Sequence, residues 1–231
     1  MALYAIADLH LPLGIDKPMN IFGKSWENYV NRLEENWQKT VADEDTVVLA
    51  GDFSWATYME ESKKYFEFLN RLPGRKIMLK GNHDYWWGTL NKLKEFTQKN
   101  GFSDIEFLQN NSFSYKDISI CGSRGWTLPQ LKGSEEDLKI YARELLRLEL
   151  SLKSAKNPGN IVVFTHFPPI MRDFCENEMA ELLKKYGVTK AVYGHIHSSG
   201  IKNAFEGIKD GIEYMLVSAD YREFVPVKIA D

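Results

Sequence analysis

Five times along this chain a short apolar run rich in β-branched residues stops at a polar cluster carrying a histidine or an aspartate. The runs are Ala2 to Ala7, Thr46 to Ala50, Lys76 to Leu79, Ile161 to Thr165 and Ala191 to Tyr193. The clusters that follow are Asp8-Leu9-His10, Gly51-Asp52, Gly81-Asn82-His83-Asp84, His166 and Gly194-His195-Ile196-His197. All five histidines of the chain lie in these clusters. Short, continuously apolar runs bounded in this way read as strands covered on both faces.

Helical periodicity fills the intervals. Trp26 to Thr40 places Tyr29, Leu33 and Trp37 on one face, and Met59 to Leu69 follows the same pattern. A longer helix starts at Ser134, an N-cap with Asp137 at the third helical position, and carries Leu138, Tyr141, Leu145, Leu148 and Leu152 at spacings of three and four. Its Lys139, Arg143, Glu144, Arg147 and Glu149 are expected to face water. Asp104 to Ile120 reads as two or three short strands around Asn110-Asn111, and Ile212 to Ile229 as a closing antiparallel pair. Strands alternating with helices predict an α/β sheet with helices on its faces. In such a sheet the carboxyl ends of neighbouring strands open onto one crevice, so the five clusters are expected to meet there.

The 231 residues suit a single domain, 1–231, with Pro73-Gly74 and Pro168-Pro169 as turns inside it. Hydrophobic residues at 44% and charged residues at 26% are ordinary for a globular protein. The N-terminal apolar stretch lacks a basic region and is interrupted by Asp8, so a cytoplasmic protein with no membrane association is expected. Two cysteines, Cys121 and Cys175, suggest neither a disulfide framework nor a thiolate zinc site, and both read as packing residues. A net charge of -3 with no basic stripe argues against extended binding to nucleic acid.

The donor set points to metal chemistry. Carboxylates from Asp8 and Asp52, imidazoles from His10, His166, His195 and His197, and the Asn82 amide oxygen suit Mn, Fe, Zn or a similar ion in a reactive site. Two such ions bring four positive charges against three from Asp8, Asp52 and a bridging hydroxide, and the excess suits a phosphate. Metal coordination lowers the pKa of water from 15.7 to roughly 7, and a pair of ions about 3.5–4 Å apart clamps an in-line displacement.

The order Asp8-x-His10, Gly51-Asp52, Gly81-Asn82-His83-Asp84, His166, Gly194-His195-x-His197 resembles the signature of the calcineurin-like metallophosphoesterases. The resemblance implies a four-layer αββα sandwich of two mixed β-sheets packed face to face with helices outside. It implies two divalent or mixed-valence metal ions, one held by Asp8, His10 and His197 and the other by Asn82, His166 and His195, with Asp52 bridging both. His83 corresponds to the family's catalytic histidine, which stabilises the phosphoryl oxygens or protonates the leaving oxygen, with Asp84 expected to orient its ring. Many members continue Gly-Asp-x-x-Asp where this chain reads Gly51-Asp52-Phe53-Ser54-Trp55, and it lacks the Arg-Gly of the protein-phosphatase branch. It is more similar to small bacterial phosphoesterases of unassigned substrate.

The activity implied is hydrolysis of a small phosphomonoester or phosphodiester by a metal-bridging hydroxide. A non-catalytic metal-binding scaffold on the same fold and a nuclease are the alternatives. Trp55, Tyr85, Trp86, Trp87 and Trp126 lie beside the clusters and either stack on an aromatic part of the substrate or simply pack. Arg124, in Gly122-Ser123-Arg124-Gly125-Trp126, is the expected phosphate contact, and Arg172 a second candidate; a surface ion pair accounts for either equally well.

Overall fold

The computed structural model describes residues 1–15, 17, 19–131 and 133–231. The strands are β1 (Leu3–Ile6), β2 (Thr46–Ala50), β3 (Arg75–Leu79), β4 (Ile105–Phe107), β5 (Phe113–Tyr115), β6 (Ile118–Ser123), β7 (Ile161–Thr165), β8 (Val188–Tyr193), β9 (Gly207–Lys209), β10 (Ile212–Leu216) and β11 (Val227–Ala230). The helices are α1 (Tyr29–Thr40), α2 (Lys63–Asn70), α3 (Leu90–Asn100), α4 (Glu135–Lys153) and α5 (Glu178–Lys185). The strands form two sheets, ordered β11-β1-β2-β3-β4 and β5-β6-β7-β8-β10-β9. Each is parallel through its centre and antiparallel at an edge, at β11 in the first and at β5 and β9 in the second.

Alternation along the strands explains the layering, because successive side chains point to opposite faces. In β2, Val47 and Leu49 pack towards α1 to α3 with Leu33, Trp37, Phe66 and Leu93, while Val48 and Ala50 face the other sheet. There they meet Ile120, Val162, Phe164 and Val192 from β6 to β8. The outer face of the second sheet, with Cys121, Val163 and Ala191, is covered by Tyr141, Leu148 and Leu152 of α4 and Met179 and Leu183 of α5. Three apolar layers thus separate four layers of structure, the αββα sandwich.

The five expected strands are present, and α4 has its capping box, Ser134 Oγ accepting from the Asp137 amide and Asp137 from the Ser134 amide. The expected first helix starts later, at Tyr29, because Asn28 takes a left-handed conformation (φ 49°) and Trp26 belongs to a preceding 3-10 turn. The second likewise begins after a 3-10 turn at Glu60–Ser62. On α4, Glu144 is buried and Leu138 is exposed, the reverse of the expectation. Glu144 is turned inward because its Oε1 accepts from Arg147 at 2.7 Å and from Arg124 at 3.2 Å.

The closing pair expected over Ile212 to Ile229 does not form. β10 runs parallel to β8 in the second sheet and β11 antiparallel to β1 in the first. The chain between them crosses from sheet to sheet: the Val217 amide donates to Tyr193 O, the Ala7 amide to Val217 O and the Ala219 amide to Ala7 O. This crossover joins the carboxyl ends of β1 and β8. Among the described residues no helix is long and apolar enough to cross a membrane.

Candidate metal centre

The clusters following β1, β2, β3, β7 and β8 meet at the carboxyl ends of the two sheets. Backbone hydrogen bonds lock them together: the Asp8 amide donates to Gly51 O at 2.9 Å, the His10 amide to Asp52 O at 3.0 Å and the Gly194 amide to His166 O at 3.1 Å. Asp8, His10, Asp52 and His195 all adopt left-handed backbone conformations, with φ of 61°, 43°, 53° and 71°. Such conformations cost about 1–3 kcal/mol each for residues with a side chain and concentrate where geometry is demanded by function.

Three glycines open the space. Gly51 needs its positive φ of 93°, and a Cβ there would lie 2.6 Å from His166 Nδ1. Gly81 and Gly194 are required for room: a Cβ at Gly81 would meet Asp52 Oδ1 at 2.1 Å, and one at Gly194 would meet Asp8 Oδ2 at 2.5 Å.

Two donor groups result, Asp8, His10 and His197 in one and Asp52, His166 and His195 in the other, the ligand atoms within each lying inside 4.8 Å of one another. In the second, His166 Nε2 is the focus, 2.8 Å from Asn82 Oδ1, 3.2 Å from His195 Nδ1 and 3.3 Å from Asp52 Oδ2. The His166 Nδ1 lies 3.0 Å from the Ala50 carbonyl, which only accepts, so Nδ1 carries a proton and Nε2 is the nitrogen open to a cation once its own proton is lost. In the first group, His197 Nε2 is 3.3 Å from Asp8 Oδ1. Asp52 Oδ2 also lies 3.7 Å from His10 Nε2, so this one carboxylate faces both groups. A cation fits here on an observation independent of the donor types: Asp8 Oδ1, His10 Nδ1 and His197 Nε2 are buried with no hydrogen-bond partner. Buried polar atoms ordinarily have one, and a metal ion satisfies those that offer a lone pair.

The electrostatics of the bare site are those of a proton-sharing cluster. Burial alone would raise the pKa of Asp8, but the charges of His197, His166 and His10 overcome it and hold the carboxyl well below its ordinary value. Burial also opposes ionisation of Asp52, and His166 reverses this, bringing it to about 2. Burial disfavours charge on His166 and His197, yet Asp52 and Asp8 beside the former raise it to about 9, and Asp8 and Asp220 beside the latter raise it to about 10. His10 and His195 are pushed down by burial to about 4 and about 3. Ionised carboxylates and unprotonated imidazoles are the donors a divalent ion needs, so it would meet His10 and His195 ready to bind and would displace a proton from His166 and His197.

The His83 side chain is about one-third exposed, and its Nε2 lies 4.0 Å from Asp52 Oδ2. Trp55 walls it on one side, its ring at 4.8 Å from His83 and stacked at 4.9 Å on His10. The expected orientation of His83 by Asp84 is not what the geometry gives. Asp84 is fully buried, and its two oxygens accept from the amides of Asp52, Phe53 and Gly81 and from the Trp86 indole. The carboxylate therefore ties the loop after β3 to the loop after β2 and holds Asp52. With burial dominant and the Asp52 charge nearby, its pKa is raised to about 6.

The peripheral candidates divide. Trp126 packs against Phe167 with the rings tilted and their centroids 4.9 Å apart and, with Leu128, Leu131 and Met171, lines an apolar pocket of about 380 Å³ that reaches His195 and His197. Tyr85 is exposed, its ring 6.3 Å from His83. Trp86 is a core residue, and Trp87 packs on Phe107 and donates to Gln109. Arg124 lies over the Trp126 ring at 4.3 Å and donates to Glu144. Arg172 is exposed and bonds the Lys202 carbonyl, away from the centre. Asp220 was not among the sequence candidates: its Oδ1 lies 2.7 Å from His197 Nδ1. It sits in the crossover between β10 and β11, which the sequence disguises as a strand pair.

Among solved structures, the chain resembles a phosphopantetheinyl hydrolase (PptH) from Mycobacterium tuberculosis, with 15% identity, a TM-score of 0.60 and coverage of 99% of this chain and 95% of that one. It also resembles the protein of unknown function AQ665 from Aquifex aeolicus, with 18% identity, a TM-score of 0.53 and coverage of 98% and 95%. At these identities the likeness is one of fold. Comparison with curated protein sequences returned no match. Residues 1–199 match the family model described as calcineurin-like phosphoesterase, and this span contains both donor groups, Asn82 and His83. The chain belongs to the calcineurin-like phosphoesterase family, and is a metal-dependent phosphoesterase.

Proposed function

We propose that the chain, as a single domain over residues 1–231, hydrolyses a small phosphomonoester or phosphodiester at a centre of two metal ions. Asp8, His10 and His197 would hold one ion, Asn82, His166 and His195 the other, with Asp52 shared between them. The observation that carries this reading is the Asp52 carboxylate, whose Oδ2 is 3.3 Å from His166 Nε2 in one donor group and 3.7 Å from His10 Nε2 in the other. Two ions so held would supply an activated water near neutral pH and positive charge for the phosphoryl oxygens.

The remaining chemistry falls to the chain. His83, one-third exposed beside Asp52, donates a proton to the leaving oxygen or a hydrogen bond to the phosphoryl group. Trp55 fixes its ring by edge-to-face contact, and the Asp84 carboxylate fixes the Asp52 backbone. The apolar pocket along Trp126 and Phe167 receives the organic part of the ester, and Tyr85 stands exposed beside His83.

Turnover of an aryl phosphate and an aryl phosphodiester, measured in parallel with metal content, tests the proposal. Chelation should abolish activity and Mn²⁺ should restore it. His83→Ala should lower kcat by about 10²–10⁴-fold, the range of a general acid, without loss of metal. Full activity in the demetallated protein would overturn it.

A further inference from the structure

One cavity is not used by this chemistry. It has a volume of about 300 Å³ and lies where the chain leaves β3, β4 and β6, bounded by Lys80, Gln109, Ser123 and Arg124 and closed on its outer side by Glu144 and Arg147 of α4. Its charge is unbalanced. Lys80, Arg124 and Arg147 bring three positive charges, and Glu144 brings one negative charge, leaving two in excess.

The single carboxylate is already shared, since its Oε1 accepts from both guanidiniums. Arg124 Nε is buried and has no partner, and no hydrogen bond or ion pair engages the Lys80 ammonium among the described residues. Donors therefore remain, in a concave site, on three different elements. A neutral or cationic ligand would leave them unpaired; an anion with several oxygens satisfies them.

Position gives this cavity its meaning. Lys80 immediately precedes Gly81 and Asn82, and the Arg124 carbonyl accepts from the amides of His166 and Phe167. In the sheets, β4 lies next to β3 and β6 next to β7, whereas the metal donors follow β1, β2, β3, β7 and β8. One to two strand spacings, about 5–10 Å, separate the strand ends that carry the two sites.

We infer that the Lys80–Arg124–Arg147 cavity is a subsite for a second anionic group of the substrate, a phosphate or a comparable oxyanion, held about one short spacer away from the phosphate that is cleaved. The inference rests on the proposed phosphoesterase reading and narrows it to substrates that are anionic at two places. Arg124 then touches substrate, though at the distal group. Glu144 sets the geometry by holding the two guanidiniums together, and the shared carboxylate keeps them from separating in the absence of ligand.

The test compares butyl phosphate with α,ω-alkanediol bisphosphates having three to six methylenes, using the Mn²⁺-loaded protein. Calorimetry reports affinity and stoichiometry, and phosphate release reports turnover. One bisphosphate of optimal length should bind 1:1 and at least about tenfold more tightly than butyl phosphate, a difference of roughly 1.4 kcal/mol. In Arg147→Ala, a surface change, and in Lys80→Met, that preference should fall towards one.

Equal affinity for the two ligand types in the wild-type protein would overturn the subsite. So would a preference that survives both substitutions. Two inorganic phosphates per chain with no gain for any bisphosphate would assign the cavity to free anion and not to substrate, and the inference would fail. Preference for the bisphosphate without hydrolysis of either compound would sink the phosphoesterase reading and leave an anion site standing, whereas hydrolysis without preference would sink the subsite alone.

Discussion

Asp220 Oδ1 lies 2.7 Å from His197 Nδ1, while the opposite ring nitrogen, Nε2, lies 3.3 Å from Asp8 Oδ1. An imidazole with one nitrogen engaged by a carboxylate donates the lone pair of the other, and the carboxylate fixes both tautomer and ring orientation. The crossover between the sheets thus reaches back to support a residue that follows β8.

Asp220→Asn should preserve the fold and weaken binding at the His197 site by about 10–100-fold, the usual cost of losing such a support. Competition against a fluorescent chelator measures this directly. An unchanged affinity would show that the Asp220 carboxylate plays no part in holding His197 for the metal.

The metal-free protein should be most stable near pH 6.5. His166 and His197 have folded values raised to about 9 and about 10, so their contribution is complete below the unfolded value of 6.5 and is lost as pH rises through 9 to 10. His10 and His195 are lowered to about 4 and about 3, so the unfolded chain binds protons that the folded one refuses below 6.5, and stability falls towards acid. Metal-loaded protein, with all four imidazoles unprotonated, should show no loss between pH 7 and 9. Thermal scans across pH with and without chelator compare the two; a metal-free Tm that holds steady from pH 7 to 10 would contradict the assignment.

Asp84→Ala strands three backbone amides and the Trp86 indole in the interior. Each buried donor left unpaired costs about 1–3 kcal/mol, so the expected result is a marked drop in denaturant midpoint together with weaker metal binding. Loss of turnover with full stability would instead support direct action of Asp84 on His83.

Gly81→Ala should displace Asp52, because the new methyl would lie 2.1 Å from Asp52 Oδ1 and 2.2 Å from its amide nitrogen. The expected cost is about 1–3 kcal/mol of stability, as for other overpacked sites. Loss of both ions, read by elemental analysis, should accompany it, whereas Gly101→Ala, with nothing within 4 Å of the added carbon, should leave metal content unchanged.

Thiol chemistry separates the two cysteines. Cys121 is buried against α4, and burial raises its thiol to about 11, while Cys175 is half-buried near the surface. Alkylation of the native protein at pH 8 should label Cys175 and spare Cys121 until the chain unfolds. Equal labelling rates would show that the outer layer of the sandwich opens readily.

The amino-acid sequence by itself determined the strands and the candidate donors Asp8, His10, Asp52, His166, His195 and His197 that follow them, because both signals are local: an apolar run, then a break, then a side chain of particular chemistry. Tertiary structure alone decided the rest. Ile212–Leu216 and Val227–Ala230 look like neighbours in sequence, yet they join different sheets, since pairing is chosen by edges available in space. The inward turn of Glu144 was set by Arg124 and Arg147, and the role of Asp84 by four donors from two loops. Side-chain partners distant in the chain leave no periodic trace, so residues such as Asp220 become visible only when packing brings their partners within hydrogen-bonding reach.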